Sequence, residues 1–369
     1  MKSRTMQNLL LQGIVQPFSI VFLLLLSIGG LGTATCQAQT RAYVTNPGSN
    51  TASVIDTSTN AVSATIPLGN YPQGVAFTPD GTRVYVTNNS SFNVSAIDTA
   101  SNVVVATIPV GANPDAVAIT PDGTRAYVSN FNGGVSVIDT GSNTVIATIT
   151  VGMSPEGIAI TPDGTRAYVA VYLSAMVSVV DVATNTVIST IQVSGRPFGI
   201  AMLPDGAHAY VTDDASGTVV VIDTASNTVV ETIAVGVNPE GIAITPNGAR
   251  VYEGDRSGVS VIDTASNSVV STVPLAINDL HFGVAITPDG LQAYVTDVFS
   301  NAVSVIDTAS NTVVSTIPVG LLPWGVAATP ASLAPKSKEE CKHGGYLRFG
   351  PPVGPFKNQG QCVSYVEHH

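Results

Sequence analysis

The sequence predicts an all-β fold: a seven-bladed β-propeller of four-stranded antiparallel blades over residues 41–330, followed by a small disulfide-stapled C-terminal tail. Two observations carry the propeller. The tyrosine of a Tyr-Val-Thr-Asn signature recurs at Tyr43, Tyr85, Tyr127, Tyr168, Tyr210, Tyr252 and Tyr294, in steps of 42, 42, 41, 42, 42 and 42 residues. Each unit also contains four short strand patterns bounded by turn residues, and no window of period 3.6 is long enough for a helix. A fixed repeat of this length with four strands per unit is what radial packing of small sheets requires.

One copy serves for all. Residues 74–78 form a short apolar run that ends in Pro79-Asp80-Gly81, where proline presets one turn position and glycine supplies a positive φ. Residues 84–87 and 94–97 read as the second and third strands. Asp98-Thr99-Ala100-Ser101-Asn102 is a polar turn whose side chains bond their own backbone, and residues 103–108 form the fourth strand. Apolar residues fall on both faces of most strands, as expected of sheets sandwiched between neighbours.

The ends of the array predict how the ring closes. Residue 41 opens with the second strand of a blade, whereas residues 325–329 are a lone first strand, so the two should pair and leave no open edge. Ala331-Ser332 stands after Pro330 in place of Asp-Gly, as befits a strand that needs no hairpin after it.

Tyr-Val-Thr-Asn, Val-Ile-Asp-Thr-Ala-Ser-Asn and Thr-Pro-Asp-Gly resemble the YVTN family of β-propeller repeats over residues 41–330. The resemblance implies the fold and leaves the function open, because propellers host unrelated activities. The Trp-Asp and Gly-His marks of WD40 repeats are absent.

At the N-terminus Lys2 and Arg4 precede an apolar run, residues 18–28, that ends in small residues before Ala38. Residues 1–38 are expected to be a secretory signal peptide, an uncleaved anchor being the alternative. The residues before Cys36, Thr33-Ala34-Thr35, depart from a lipoprotein site. The expected location is secreted or periplasmic, and the mature chain is expected to be a monomer that does not insert in a membrane. Cleavage removes two cations and no acids, which takes the formal charge from −11 down by two to −13. An acidic surface argues against nucleic acid as a partner. The single arginines after the hairpin turns, Arg83, Arg125, Arg166 and Arg250, read as solvated turn residues.

The tail, residues 331–369, holds Cys341 and Cys362, the only cysteines beyond the leader. In an exported chain the pair reads as a disulfide, which would contribute roughly 3 kcal/mol to a module too small for much core. A zinc site around His343 lacks obvious further ligands.

The propeller has no cysteine and only two histidines, His208 and His281, so haem attachment and paired-histidine metal motifs are absent, as is a glycine-rich phosphate loop. A Ser-His-Asp triad would have to use His281. Repeat arrays reveal sites where the repeat breaks. The most broken position precedes the small residue that opens each first strand: Gln73, Asp115, Glu156, Phe198, Glu240, Phe282 and Trp324. All seven should ring one mouth of the central channel, with Asn113, Arg196, Asn238 and His281 close by. A second irregular position ends the second strand, at Asn46, Asn88, Asn130, Val171, Asp213, Asp255 and Asp297, where Asn and Asp are expected to cap the following turn through backbone amides.

Charged and aromatic residues converging on a concavity describe a ligand site. The first expectation is a binding scaffold that meets a protein or small-molecule ligand at the channel mouth. The second is a lactone hydrolase or lyase of the kind found on similar propellers, with a divalent cation, calcium in preference to zinc, held by oxygens of Asp115, Glu156, Glu240, Asn113 and Asn238 and His281 as base. In either case, repulsion among the three acids needs relief by Arg196, by protonation or by a cation.

Overall fold

The structure, a computed structural model, describes residues 40–275 and 279–330, which belong to the compact unit Gln37–His369. The expected signal peptide, the C-terminal module and the Cys341–Cys362 pairing lie outside the described residues.

Seven four-stranded antiparallel sheets form the blades. Blade 2 shows the plan, with strands Pro72–Phe77, Arg83–Asn88, Asn93–Asp98 and Val103–Pro109. Blade 1 is composite. Val326–Ala328 pairs antiparallel with Arg41–Asn46, placing Ala42 opposite Ala328, Tyr43 opposite Ala327 and Val44 opposite Val326. First strands touch their neighbours all the way round, and Val326–Ala328 touches both His281–Ile286 and Pro72–Phe77. Both ends of the array therefore seal the ring, as their sequences require. No helix among the described residues is long and apolar enough to cross a membrane.

Burial follows radial position. The second and third strands of each blade are buried almost throughout, because both faces meet neighbouring blades. The fourth strand departs from the two-faced expectation: only its sixth residue, such as Ile108 or Ile149, reaches the core. Its valines, such as Val103, Val105 and Val314, face outward.

Blades are joined by a repeated hydrogen bond. Each signature tyrosine is fully buried, and its hydroxyl donates to an asparagine of the next blade. Tyr85 reaches Asn143 Oδ1 at 2.8 Å, Tyr127 reaches Asn185 at 2.7 Å, and Tyr168, Tyr210 and Tyr252 reach Asn227, Asn267 and Asn311 at 2.6 Å. Tyr43 makes the same bond to Asn102 and Tyr294 to Asn60, which ties blade 7 to blade 1. Each of these asparagines has φ between 48° and 55°, so the turn needs a residue that tolerates left-handed backbone and carries an acceptor. Burial pushes the phenols up, to about 12 for Tyr210 and Tyr252.

The arginines are not solvated turn residues. Arg83 Nη1 donates to Thr140 O at 2.9 Å, Arg166 to Thr224 O at 2.8 Å, and Arg125 to Val182 O, each across to the following blade. Arg41 does the same to Thr99 O at 2.7 Å. Arg250 instead stays in its own blade, on Asp263 and Ala249 O. A long side chain emerging beside a blade boundary finds the orphan carbonyls of the next turn, and local sequence does not reveal that reach.

Tyr127→Phe is expected to lower the unfolding free energy by about 1–2 kcal/mol in urea denaturation, because Asn185 Oδ1 loses its donor in a buried setting. A variant as stable as the parent would show that the hydroxyl does not hold the blades together.

Candidate functional site

The position before each first-strand glycine is shaped by a β-bulge. In five blades the pairing of first and second strands skips there. In blade 3 Pro114 faces Asn130 and Val117 faces Val128, leaving Asp115 and Ala116 opposite Ser129 alone. A bulge of this kind re-aims a side chain. The threonine of Tyr-Val-Thr-Asn holds it from behind. Thr87 Oγ1 accepts from Gly74 N at 2.8 Å and donates to Asp115 O of the next blade at 2.6 Å. Thr45, Thr212 and Thr296 reach Gln73 O, Glu240 O and Trp324 O at 2.6, 2.9 and 2.8 Å. The glycine is required by proximity, since a Cβ on Gly74 would lie 2.4 Å from Asp115 O. All of these contacts use backbone atoms of the mouth residues, so none of them engages a mouth side chain.

Those side chains share one cavity of about 310 Å³: Gln73, Asp115, Glu156, Phe198, Glu240, Phe282 and Trp324 all line it. Phe282 stacks on Trp324 with centroids 3.6 Å apart, Phe198 meets Phe282 edge-on at 5.7 Å, and Tyr172 extends the aromatic arc to Phe198 at 6.3 Å. Around the ring, Gln73, Asp115 and Glu156 occupy blades 2, 3 and 4 in succession, and the aromatic residues of blades 5, 7 and 1 stand across from them with Glu240 of blade 6 among them.

The acids are relieved by protons. Asp115 and Glu156 share a hydrogen bond; burial first, then the Asp115 charge, pushes Glu156 up to about 10, and burial raises Asp115 as well. Ser154 Oγ also donates to Glu156 at 3.0 Å. Burial, then the charge of Asp214, pushes Glu240 up to about 8. Arg196 does not neutralise them: it is exposed, lies over the Tyr172 ring at 5.4 Å and gives its backbone N–H to Asp213 Oδ1 at 2.7 Å.

His281 does not line the cavity. It is 1% exposed and its Nδ1 sits 3.0 Å from Asp297 Oδ1, while Ser304 Oγ donates to Asp297 Oδ2 at 2.7 Å. Serine and histidine thus meet on the aspartate and not on each other, which is not the arrangement of a nucleophilic triad. Among the described residues no three His, Cys, Asp or Glu side chains converge as metal ligands, so Asp115, Glu156 and Glu240 do not form such a group.

The residues ending the second strands differ from the expected amide caps. Asn46 and Asn88 donate through Nδ2 to Ser53 and Ser95 on the adjoining strand at 3.0 and 2.8 Å. Only Asp213 and Asp255 accept from a backbone N–H, of Arg196 and Ser257. These side chains are buried in the blade, so a hydroxyl across the ladder is nearer than the turn.

Sequence reasoning missed Asn89, Phe131, Tyr172 and Asp214, which also line the cavity. They stand one place after the second irregular position, at Asn88, Asn130, Val171 and Asp213, and are as irregular as the mouth ring. Asp214 is anchored by Tyr172 Oη at 2.8 Å and Asn238 Nδ2 at 2.6 Å, and Asn113 Nδ2 meets Asn89 Oδ1 at 3.2 Å. Glu253 was missed as well. It replaces the valine found at Val44, Val86, Val128, Val169, Val211 and Val295, and both its carboxyl oxygens are buried without a hydrogen-bond partner. Ser260, opposite it, turns to Asp255 Oδ2 at 3.3 Å. Burial, then the Asp255 charge, holds the Glu253 carboxyl well above the usual range.

Residues 62–196 match the choice-of-anchor I domain family. Among solved structures, the chain is similar to Kuenenia stuttgartiensis hydrazine synthase, with 26% identity and a TM-score of 0.65 over 69% of this chain and 89% of that one. A functionally unknown protein from Desulfotomaculum acetoxidans DSM 771 shares the fold at 22% identity and a TM-score of 0.71, over 79% of this chain and 99% of that one. The dihydro-heme d1 dehydrogenase NirN, solved in complex with DHE, shares it at 15% identity and a TM-score of 0.59, over 78% and 74%. No curated protein matches the chain.

Glu253 gives a pH test. Its folded-state pKa is raised, so its contribution is favourable below the unfolded value near 4.5 and is lost as pH climbs toward the folded value. Glu253→Val, which restores the residue of the other blades, is expected to add about 1–3 kcal/mol at about pH 8 and little at about pH 4. Melting curves at the two pH values read this directly. A variant less stable at the higher pH would mean the carboxylate is paired.

Proposed function

We propose that the protein is an exported propeller of the YVTN kind, with a signal peptide at residues 1–38, that acts as a binding scaffold and takes its ligand or partner at the channel mouth. The observation that carries this reading is the convergence of seven side chains, four of them polar and three aromatic, on one cavity. The fold spends its hydrogen bonds on their backbones, so nothing in blade packing accounts for three aromatic rings and three acids there.

The surface around the cavity supports the same reading. Loops following the second strands expose Phe92, Phe131 and Phe299, and loops leading into the first strands expose Met153, Val237 and Leu321. Scattered apolar residues are ordinary, but a set on the loops around one concavity, rimmed by polar groups, fits a contact surface. The opposite turns, of the Pro-Asp-Gly-Thr and Asp-Thr-Ala-Ser-Asn type, are polar. A secreted or periplasmic location rests on the N-terminal pattern, and the anchor named in the matched family's description supports it. The tail at residues 331–369 completes the proposed organisation, closed by Cys341 and Cys362.

Binding is favoured over hydrolysis because Asp115 and Glu156 are engaged with each other and His281 is buried and does not line the cavity.

A thermal-shift screen of small molecules tests the reading. Ligands that raise the melting temperature should lose their effect in a Phe198→Ala/Phe282→Ala variant and keep it in Leu291→Ala, on an exposed turn between the first and second strands of blade 7. Ligands that still act on the mouth variant, or are lost on changing Leu291, would place the site elsewhere.

A further inference from the structure

We infer that the channel mouth recognises an alkylammonium group, its N–H donors directed to the arc of Gln73, Asp115 and Glu156 and its apolar body laid on the arc of Phe198, Phe282 and Trp324. This rests on the mouth being a binding site and names the chemistry it takes.

Acids alone would not carry the inference, and the decisive neighbour is Gln73. It is 7% exposed, it lines the cavity, and its Oε1 has no hydrogen-bond partner. A buried carbonyl oxygen without a donor is costly, so an unfilled acceptor on a side chain that lines the cavity favours a ligand that brings a donor to that side. Beside it stand two further acceptors, the Asp115 and Glu156 carboxyls, that hold each other through a shared hydrogen bond. A primary ammonium carries three donors and one positive charge, which matches three adjacent acceptors and an excess of negative groups.

The facing wall is largely aromatic, with Glu240 on the blade between those of Phe198 and Phe282. Ring faces attract cations, and stacked rings offer a dry surface for a hydrocarbon body, so the two arcs suit the two ends of one molecule. A cavity of about 310 Å³ accommodates an amine with a short chain or a single ring. The charged groups around it are Asp115, Glu156, Asp214 and Glu240, with Arg196 and Arg256 exposed on the loops. Arg256 lowers Glu240 and is outweighed by burial and Asp214. The two arginines lie outside the lining, so the cavity has an acid excess of its own.

Binding has a proton signature. The empty acid pair retains a proton at neutral pH, with Glu156 pushed up to about 10. An entering cation favours the ionised pair, so the proton leaves as the ligand binds. Affinity should therefore rise with pH. A neutral polyol, which also stacks on aromatic rings, would leave the proton in place and bind without this dependence.

The test uses the whole exported chain and the fluorescence of Trp324, its only tryptophan. Phenethylammonium chloride is expected to shift the emission saturably, with affinity rising about tenfold per pH unit between about pH 6 and pH 8 as one proton is displaced. Uncharged 2-phenylethanol should bind at least about tenfold more weakly. Glu156→Gln should remove the acid pair's share of the pH dependence, leaving that of Glu240, and weaken phenethylammonium while leaving the melting temperature equal or higher, and Asp115→Asn should do the same from the other side of the pair. Nα-acetyl-lysine methylamide separates the sources: tighter binding than phenethylammonium points to a lysine side chain presented by a partner, and weaker binding to a free amine. Equal binding of 2-phenylethanol, affinity that is flat or rises toward acid pH, or undiminished binding in both variants would overturn the ammonium assignment. If no amine shifts Trp324 at millimolar concentration while screened ligands still depend on Phe198 and Phe282, the ammonium inference falls and the binding site stands.

Discussion

The ring depends on one hydrogen bond made seven times, from a buried tyrosine to an asparagine in the turn of the next blade. The phenol supplies volume for the blade interface, and its hydroxyl cannot be buried unpaired. The asparagine answers with a side-chain acceptor at a position where the backbone is left-handed. Neither residue can change alone, which is why both recur in phase through the array. The bond from Tyr294 to Asn60 closes the circle with the same chemistry that builds it.

The threonine two places on does the corresponding work at the mouth. It bonds a glycine N–H in its own blade and a carbonyl in the next, and the glycine exists because that carbonyl passes within 2.4 Å of where a Cβ would stand at Gly74. The scheme weakens where the signature changes. Ala170 and Gly254 carry no hydroxyl; blade 4, with Ala170, keeps a six-residue first strand, Pro155–Ile160, whereas blade 6, with Gly254, has the shorter Ile242–Ile244. Across the array the backbone of the mouth is held by its neighbours, and the side chains carried on it are released from structural duty. That separation lets a uniform fold present a site of irregular composition.

Much of this was legible before any coordinates. The tyrosine spacing gave the blade number, the unequal ends of the array gave the closure, and the loss of repeat at Gln73, Asp115 and their counterparts pointed to the side chains that meet at the cavity. What stayed hidden shares a physical cause: it depends on contacts between blades. Arg83 and Arg166 look like turn residues because their carbonyl partners lie more than fifty positions away. Tyr172 and Asp214 sit one residue past an irregular position whose own side chains turn into the blade. His281 breaks a proline pattern and so drew notice, yet the strand that carries it turns its ring inward to Asp297. Glu253 stands in a valine position, a visible breach whose consequence, an unpartnered buried carboxyl, only packing reveals.

The account divides the chain into residues that hold the ring and residues that the ring holds out. The most direct test of that division is the melting temperature, followed by circular dichroism, of a variant in which Gln73, Asp115, Glu156, Phe198, Glu240, Phe282 and Trp324 are all alanine. Cooperative unfolding within a few degrees of the parent, or above it at neutral pH once the buried acids are gone, is the predicted result. Loss of cooperative unfolding, or a fall as large as that from removing several tyrosine hydroxyls, would contradict the account by making the mouth part of what holds the propeller together.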